Sequence, residues 1–519
     1  MDETERLIAR PNYADRPART FLEYRLEPRL SGPRHANLDN LSLRSPLVRF
    51  KKGEKSRIYL NVCITTAIMQ AVTGTRMKIE AARHGMSSMS PSSQPIDKHK
   101  EMVYDAKKKR GVFQKSRVFF SPDHTLADVL EFREKTGYST IPITYSGKET
   151  SKLVGIVCDG NTWPTDPPGT KVKDFMTPFN ENYPHARLHD SLDGCKRIMR
   201  DHARAGVSVK HLPVVDSRGA LRFFIFKKDF EERYKYPMEV IDDQGRYVVG
   251  AGANITDFKE RIPELVDAGV DYICFDSSNA FKTHMADAIR WAKKEYPDLI
   301  VGAGNIVGED AFTYLAQAGA DFVKIGMGGG SICITQEQTG LGKGQATALQ
   351  DVKTARDEFY RTTKEYVPII SDGGIVQDAH IAVALAMGAD HVMMGRYFAR
   401  FDESPTEVGR VRGRMLKPYW GEGSKRARNW MRYTGDESYF LFEQGVDGFV
   451  PYAGPMAQAL EQTIAQVKTP MSASGSIDLA EFRKNALIQR ASEASIREGK
   501  AHDILLLGEE GQRYEENRW

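Results

Sequence analysis

From Arg246 through "MGRYF", short apolar runs ending in glycine or small polar residues alternate with amphipathic stretches. The runs are "YVVGAGAN", "YICFDSS", "LIVGAGNI", "FVKIGMGGGS", "VPIISDGGI" and "HVMMGRYF", with stretches such as "DFKERIPELVDAG" and "DAHIAVALAMGA" between them. Strands buried on both faces read as continuous apolar runs, and strand followed by helix at regular spacing builds parallel β/α units. The pattern gives six strands after Tyr247, and "IYLNVCITTAIMQAV" (Ile58–Val72) supplies an earlier one. The expected fold is α/β, a (β/α)8 TIM barrel, with its polar strand ends on the C-terminal rim where such barrels carry chemistry.

The middle of the chain breaks this rhythm. "FFSPDHTLADVLEFREKTGYSTIPITYSGKETSKLVGIVC" and "HARLHDSLDGCKRIMRDHARAGVSVKHLPVVDSRGALRFFIF" share an opening turn, an amphipathic helix, a strand with Ile-Pro or Leu-Pro, a turn and a second strand. "KVKDFMTP" (Lys171–Pro178) links them, so a tandem module is inserted here. Arg117–Asp229 resembles a pair of CBS domains, a Bateman module. The expected division is 1–116 for the first part of the barrel, 117–235 for the tandem module and 236–519 for the rest, with a catalytic loop at 328–348 and a flap at 410–433. "KKKR" (Lys107–Arg110) reads as a solvated helix end.

Composition narrows the class. A length of 519 residues fits two to four domains, and 41% hydrophobic content sustains real cores. A net charge of +4 leaves no footprint for nucleic acid. The five cysteines, Cys63, Cys158, Cys195, Cys274 and Cys333, lie far apart without a CxxC pair, which argues against zinc or a redox dithiol and fits a reducing cytoplasm. The charged N-terminus does not read as a signal peptide, and no apolar run is long enough for a membrane span.

Candidate chemistry gathers at strand ends. Cys333 stands in "GGGSICITQEQTGLGKGQATA" (Gly328–Ala348), a glycine-rich rim loop with Thr335 close behind. A thiol needs help to become a nucleophile at neutral pH, and free backbone NH groups supply it. The other four cysteines sit in apolar runs or on helices and read as inert. "SDGGI" (Ser371–Ile375) and "MGR" (Met394–Arg396) end adjacent late strands in glycine, the place where barrels grip a phosphate, with Arg396 adding charge and Asp372 suited to a ribose diol. "FDSS" (Phe275–Ser278) puts a further carboxylate at a strand end. Arg410–Tyr433, rich in arginine, lysine and aromatics, reads as a structureless insertion serving as a lid.

Taken together, Gly328–Thr335 with Lys343–Gln345, "SDGGI", "MGRYFARF", "YWGEGS…RARNWMRY" and "GVDGFVPYAG" resemble the inosine 5′-monophosphate (IMP) dehydrogenase family. The likeness covers nearly the whole chain, and "GGGSICIT" is similar to the protozoan-type branch. The resemblance implies NAD-dependent oxidation of IMP to xanthosine 5′-monophosphate, with Cys333 adding to carbon 2 of the purine and water then hydrolysing the thioimidate. It implies Ser331, Gly374, Gly395 and Arg396 at the phosphate, Asp372 at the ribose, and Asn305, Gln444 and the Gly421, Glu422, Gly423, Ser424 turn near the base. It places Asp276, with Ser277 and Ser278, at the nicotinamide ribose, and gives water activation to Arg432 with Thr335 and Tyr433. Carbonyls of Gly328, Gly330 and Cys333 are implied to bind potassium, joined by Glu498, Gly499 and Lys500 of a neighbouring subunit in a homotetramer or a higher assembly. Purine nucleotides are the implied ligands of the CBS pair, with weak or altered binding of adenine nucleotides expected because "CDGN" (Cys158–Asn161) and "FKKD" (Phe226–Asp229) both lack the threonine of the usual Thr-x-x-Asp.

Three departures from the family pattern stand out. Gln444 replaces an acid used elsewhere as an auxiliary base, Lys500 replaces a glycine, and "HGMSSMSPSSQP" (His84–Pro95) replaces a "GGIGFIH"-like stretch, so a remodelled strand is expected there. Two rival functions remain open. One is GMP reductase, with the same barrel and thiol but no need of the hydrolytic flap. The other is a nucleotide sensor with an inactive barrel.

Overall fold

In the computed structural model, eight parallel strands close into a barrel: β1 (Ile64–Thr66), β2 (Ser87–Ser90), β3 (Gly250–Ala253), β4 (Tyr272–Asp276), β5 (Ile300–Ile306), β6 (Phe322–Ile325), β7 (Ile369–Asp372) and β8 (His391–Met394). The structure describes residues 14, 16–109, 116, 118–163, 165–207, 209–228, 230, 235–428, 442–502 and 504. Around the ring the order is β3-β4-β5-β6-β7-β8-β1-β2, and β2 closes it on β3 with Met89 opposite Gly250. Helices follow the strands: α1 (Thr75–Arg83), α2 (Ile96–Lys109), α3 (Phe258–Asp267), α4 (Thr283–Glu295), α5 (Glu309–Gln317), α6 (Gln345–Thr363), α7 (Asp378–Ala386) and α8 (Met456–Ala473). Among the described residues no helix is long and apolar enough to cross a membrane.

The six runs after Tyr247 become β3 to β8, and β1 lies within Ile58–Val72. Small residues make room for large ones inside the ring: a Cβ on Gly302 would fall 2.1 Å from the Phe322 ring, and one on Gly304 2.5 Å from Lys324 Cβ. The strand that the pattern does not reveal is β2, whose sequence is Ser-Ser-Met-Ser. It is fully buried, and apart from Ser88 Oγ its serine hydroxyls are met from inside. Tyr272 shares a hydrogen bond with the Ser87 hydroxyl and donates to the Ser88 carbonyl (3.1 Å). Ser90 Oγ meets Lys78 Nζ and His99 Nε2, each at 2.8 Å. Buried polar groups stay in a fold when paired in this way.

Two expectations need correction. Arg410–Tyr433 is not structureless where it is described. It opens as β9 (Gly409–Val411) and β10 (Arg414–Trp420), and β11 (Asp447–Pro451) completes a three-stranded antiparallel sheet. Arg412 and Gly413 both take positive φ (49° and 81°), the geometry of a tight two-residue hairpin turn. Lys107 is not solvated but buried, with Nζ donating to Asp242 Oδ2 and to the Tyr247 carbonyl, both at 2.9 Å. Lys108 and Lys109 are exposed.

The chain divides into two compact units, 1–106 with 248–519, and 107–247. The second unit holds two three-stranded sheets, Ile141–Thr144, Leu153–Val157 and Thr177–Pro178 in one, Ala186–Arg187, His211–Val215 and Leu221–Phe226 in the other. Each sheet has its own helix, Leu126–Thr136 or Leu192–Arg204. Leu153, Ile156, Val215, Leu221 and Phe224 form a core common to both halves.

Candidate active site

A cavity of about 510 Å³ opens at the C-terminal ends of the barrel strands. The loop after β6 brings Cys333 to its wall, half-buried. Cys333 N donates to the Gly330 carbonyl (3.1 Å), which turns the loop back on itself. Ile334 N to Gln444 O and Val446 N to Ile332 O, each 3.0 Å, pin the loop to the segment that leads into β11.

The thiol of Cys333 lies 3.2 Å from Thr335 Oγ1, and that hydroxyl donates to Gln444 Oε1 at 3.2 Å. Thr335 spends its proton on the amide, so it faces the sulfur with a lone pair. The remaining thiols are different. Cys63 is buried and pushed up to about 12, Cys195 to about 11 and Cys274 higher still, in each case mainly by burial. Burial also raises Cys158, which is half-buried in the second unit.

Ser331, Gly374, Gly395 and Arg396 line the same cavity. Gly374 N donates to the Gly329 carbonyl at 3.0 Å, so the loops after β6 and β7 are bonded directly. Gly374 has a φ of +72°, and a Cβ there would lie 2.8 Å from that of Gln345. A Cβ on Gly395 would lie 2.6 Å from the Tyr419 hydroxyl. The missing side chains at these two positions let Gln345 and Tyr419 pack directly against the loops that line this end of the cavity.

Acidic groups line the other part of the cavity. Asp276, Asn305 and Asp372 surround Lys324, whose Nζ is 2.9 Å from Asp276 Oδ1 and 2.7 Å from Asp372 Oδ2 and also bonds Asn305 Oδ1. Asn305 Nδ2 donates to Asp372 Oδ2 at 3.0 Å. Burial alone lowers the Lys324 pKa, but Asp276 and Asp372 overcome it and hold the ammonium above its usual range. Ser277 and Ser278 lie beside Asp276 on the wall.

Gly421, Glu422, Gly423 and Gln444 also line the cavity. The Glu422 carboxylate accepts from Gln70 N (2.7 Å) and from the Ser93 hydroxyl. Ser424 does not reach the cavity wall: it is buried, and its hydroxyl accepts from Ala427 N at 3.5 Å at the start of the helix Lys425–Arg428. Glu498, Gly499 and Lys500 are exposed, at the end of the helix Glu493–Glu498, and are not part of this wall. Arg432 and Tyr433 lie outside the described residues.

Residue reasoning passed over Lys324, Tyr419 and Gln345 as individuals. The first is a lysine inside the apolar run "FVKIG", a visible signal, since a buried strand keeps a charge only when it is paired. Tyr419 is buried against Gly395. Gln345 donates to the Ile325 carbonyl (2.9 Å) and Ser371 Oγ (3.0 Å), holding β6 and β7 together under the loops.

Residues 19–502 match the family model described as the IMP dehydrogenase / GMP reductase domain. The chain is 43% identical to inosine-5′-monophosphate dehydrogenase of Tritrichomonas foetus over 498 residues, 95% of this chain and 97% of that protein. It is 33% identical to the Bacillus subtilis protein of the same name, over 87% of this chain and 90% of that one. Among solved structures, GMP reductase C318A from Trypanosoma brucei in complex with guanosine 5′-monophosphate superimposes with a TM-score of 0.78 at 24% identity, covering 94% of this chain and 98% of that one.

Proposed function

The chain belongs to the IMP dehydrogenase / GMP reductase family, and we propose that it is an IMP dehydrogenase that oxidises IMP through a covalent adduct on Cys333. The observation that carries this reading is the Cys333–Thr335–Gln444 chain in a cavity that Gly374, Gly395, Arg396, Asp276 and Asp372 also line. The Gly374, Gly395 and Ser331 loops with Arg396 hold the phosphate, and Asp372 accepts from the ribose hydroxyls. Cys333 Sγ forms a bond to carbon 2 of the purine, and the hydride on that carbon leaves. NAD, when bound beside Asp276, supplies the acceptor for that hydride. Water then displaces the thiolate from the thioimidate, giving xanthosine 5′-monophosphate and free Cys333. Splitting the reaction in two in this way is nucleophilic catalysis. Arg432 with Thr335 and Tyr433 takes the proton of that water.

Neutral carbonyls of the glycine loop at Gly328, Gly330 and Cys333 are hard oxygen donors suited to a weakly charged cation such as potassium, although the Gly330 carbonyl already accepts from Cys333 N. Glu498, Gly499 and Lys500 of a neighbouring copy complete that donor set in a tetramer. The second unit is a tandem CBS module, supported by its doubled sheet-and-helix plan. The cytoplasm is the compartment, on the strength of five free cysteines.

The test is NADH formation from IMP and NAD, run beside NADPH consumption with GMP. Turnover in the first and none in the second is the expected result. The reverse supports the reductase, and silence in both supports a sensor. Cys333→Ala abolishes NADH formation while IMP affinity stays within a few-fold, because the phosphate grip lies elsewhere. Substantial residual turnover sinks the covalent mechanism.

A further inference from the structure

Lys324 enters the site from β6 and is almost wholly buried. Its single nitrogen lies within ion-pair distance of two carboxylates from different strands, Asp276 at the end of β4 (2.9 Å) and Asp372 at the end of β7 (2.7 Å). Asn305 on β5 bonds both the ammonium and Asp372. In the reading above, Asp372 serves the ribose of the nucleotide being oxidised and Asp276 the ribose of the cofactor. One cation therefore holds the sugar-recognition groups of both partners.

We propose that Lys324 is a positioning residue that couples these two subsites, so that the cofactor-side carboxylate sets the placement of the nucleotide-side one. The inference rests on the nucleotide reading of Asp276 and Asp372. Its physical basis is simple. Two carboxylates this close to one another repel, and a shared ammonium offsets that repulsion and fixes both in place. Without it, Asp372 is pushed from the point at which it accepts from the ribose. A purely structural lysine predicts loss of stability. A coupling lysine predicts in addition that removing the second carboxylate repairs what removing the lysine damaged.

The experiment measures IMP affinity without cofactor, by calorimetry on the full chain, for wild type, Lys324→Met and Lys324→Met with Asp276→Asn. Lys324→Met is expected to weaken IMP by tenfold or more, and the double variant to recover at least threefold of that loss although Asp276 faces the other ligand. A single variant that binds within twofold of wild type overturns the proposal, as does a double variant no better than the single one. If Lys324→Met is insoluble, a soluble, IMP-binding double variant supports coupling, and a double variant that is also insoluble overturns it by assigning the lysine to packing. Wild type that fails to bind IMP defeats the nucleotide reading itself, whereas wild-type binding with unrepaired variants defeats the coupling alone.

Discussion

The hydrogen-bond chain that starts at the Cys333 thiol ends, one threonine later, on an amide. Gln444 accepts the Thr335 proton but cannot carry it away, because an amide is no base near neutral pH. In the proposed mechanism hydrolysis of the adduct then rests on Arg432, and Arg432→Ala is expected to leave a burst of NADH near one per site followed by a stall. Loss of about a thousandfold in steady-state rate, roughly 4 kcal/mol, is in the range for a missing general base. Gln444→Glu in that background puts a carboxylate where Oε1 now lies 3.2 Å from Thr335, so steady-state turnover should return in part and rise with pH as the new acid ionises. Stopped-flow absorbance separates the phases, and a burst lost together with turnover removes Arg432 from hydrolysis. A second residue-scale consequence concerns acid. His391 Nε2 bonds the Pro46 carbonyl at 2.8 Å, its Nδ1 is buried without a partner, and burial lowers its pKa to about 4. Between the unfolded value near ~6.5 and that folded value, the unfolded chain binds the proton and the folded one does not. Stability therefore falls as pH falls through that window, by up to roughly 3 kcal/mol. His391→Gln should flatten the decline in thermal midpoint between pH 7 and pH 5; an unchanged slope removes His391 as its source.

Among the elements, the ends of β7 and β8 opposite the active site are tied by one carboxylate. Asp390 is fully buried and accepts from Ile369 N (2.9 Å), Tyr366 OH (2.8 Å), Arg356 NH1 (3.2 Å) and Arg483 NH2 (3.0 Å). Burial pushes its pKa up, and Arg483 and Arg356 more than reverse this, so it stays ionised. Asp390→Ala leaves the buried Arg356 guanidinium and the partly exposed Arg483 guanidinium facing a void, and a cost of about 3–5 kcal/mol is expected in denaturant unfolding, with turnover per folded molecule little changed. A loss under ~1 kcal/mol contradicts this picture. The strands differ in how well the sequence announces them. β3 to β8 are legible because burial on both faces demands unbroken apolar runs. β2 is not, because Ser87 is paired with Tyr272, far off in the chain, and Ser90 with Lys78 and His99 on the flanking helices, and the run of serines itself carries no apolar signal. The β9–β10 hairpin is hidden for another reason: its arginines and lysine read as solvated, yet Lys417 is buried and its ammonium donates to the Phe401 carbonyl. The site follows the same division. Cys333, the glycine turns and Asp372 stand out because the chemistry needs unusual residues at strand ends, whereas the partners of Lys324 emerge only once the four strands β4 to β7 are laid side by side.

At the scale of the whole molecule, β2 and β3 are neighbours in the ring although all of the second unit lies between them in sequence. That unit begins and ends at one clasp, the Lys107 ammonium against Asp242 and the Tyr247 carbonyl. Replacing residues 108–246 by a short glycine linker should therefore leave a folded barrel with NADH formation within a few-fold of the full chain. Collapse of the soluble barrel on deletion refutes this. The clasp bears on the order in which the molecule assembles. Pairing of β2 with β3 is one of two long-range steps in this ring, the other being β8 with β1, and such a distant pairing must wait until its ends meet by diffusion. If the inserted unit folds first, the clasp delivers the two strands side by side and turns that distant search into a local one. The insertion then acts as a template for assembly of the barrel, and slower barrel refolding in Lys107→Ala, with little change in the barrel once formed, is the kinetic trace such a template leaves.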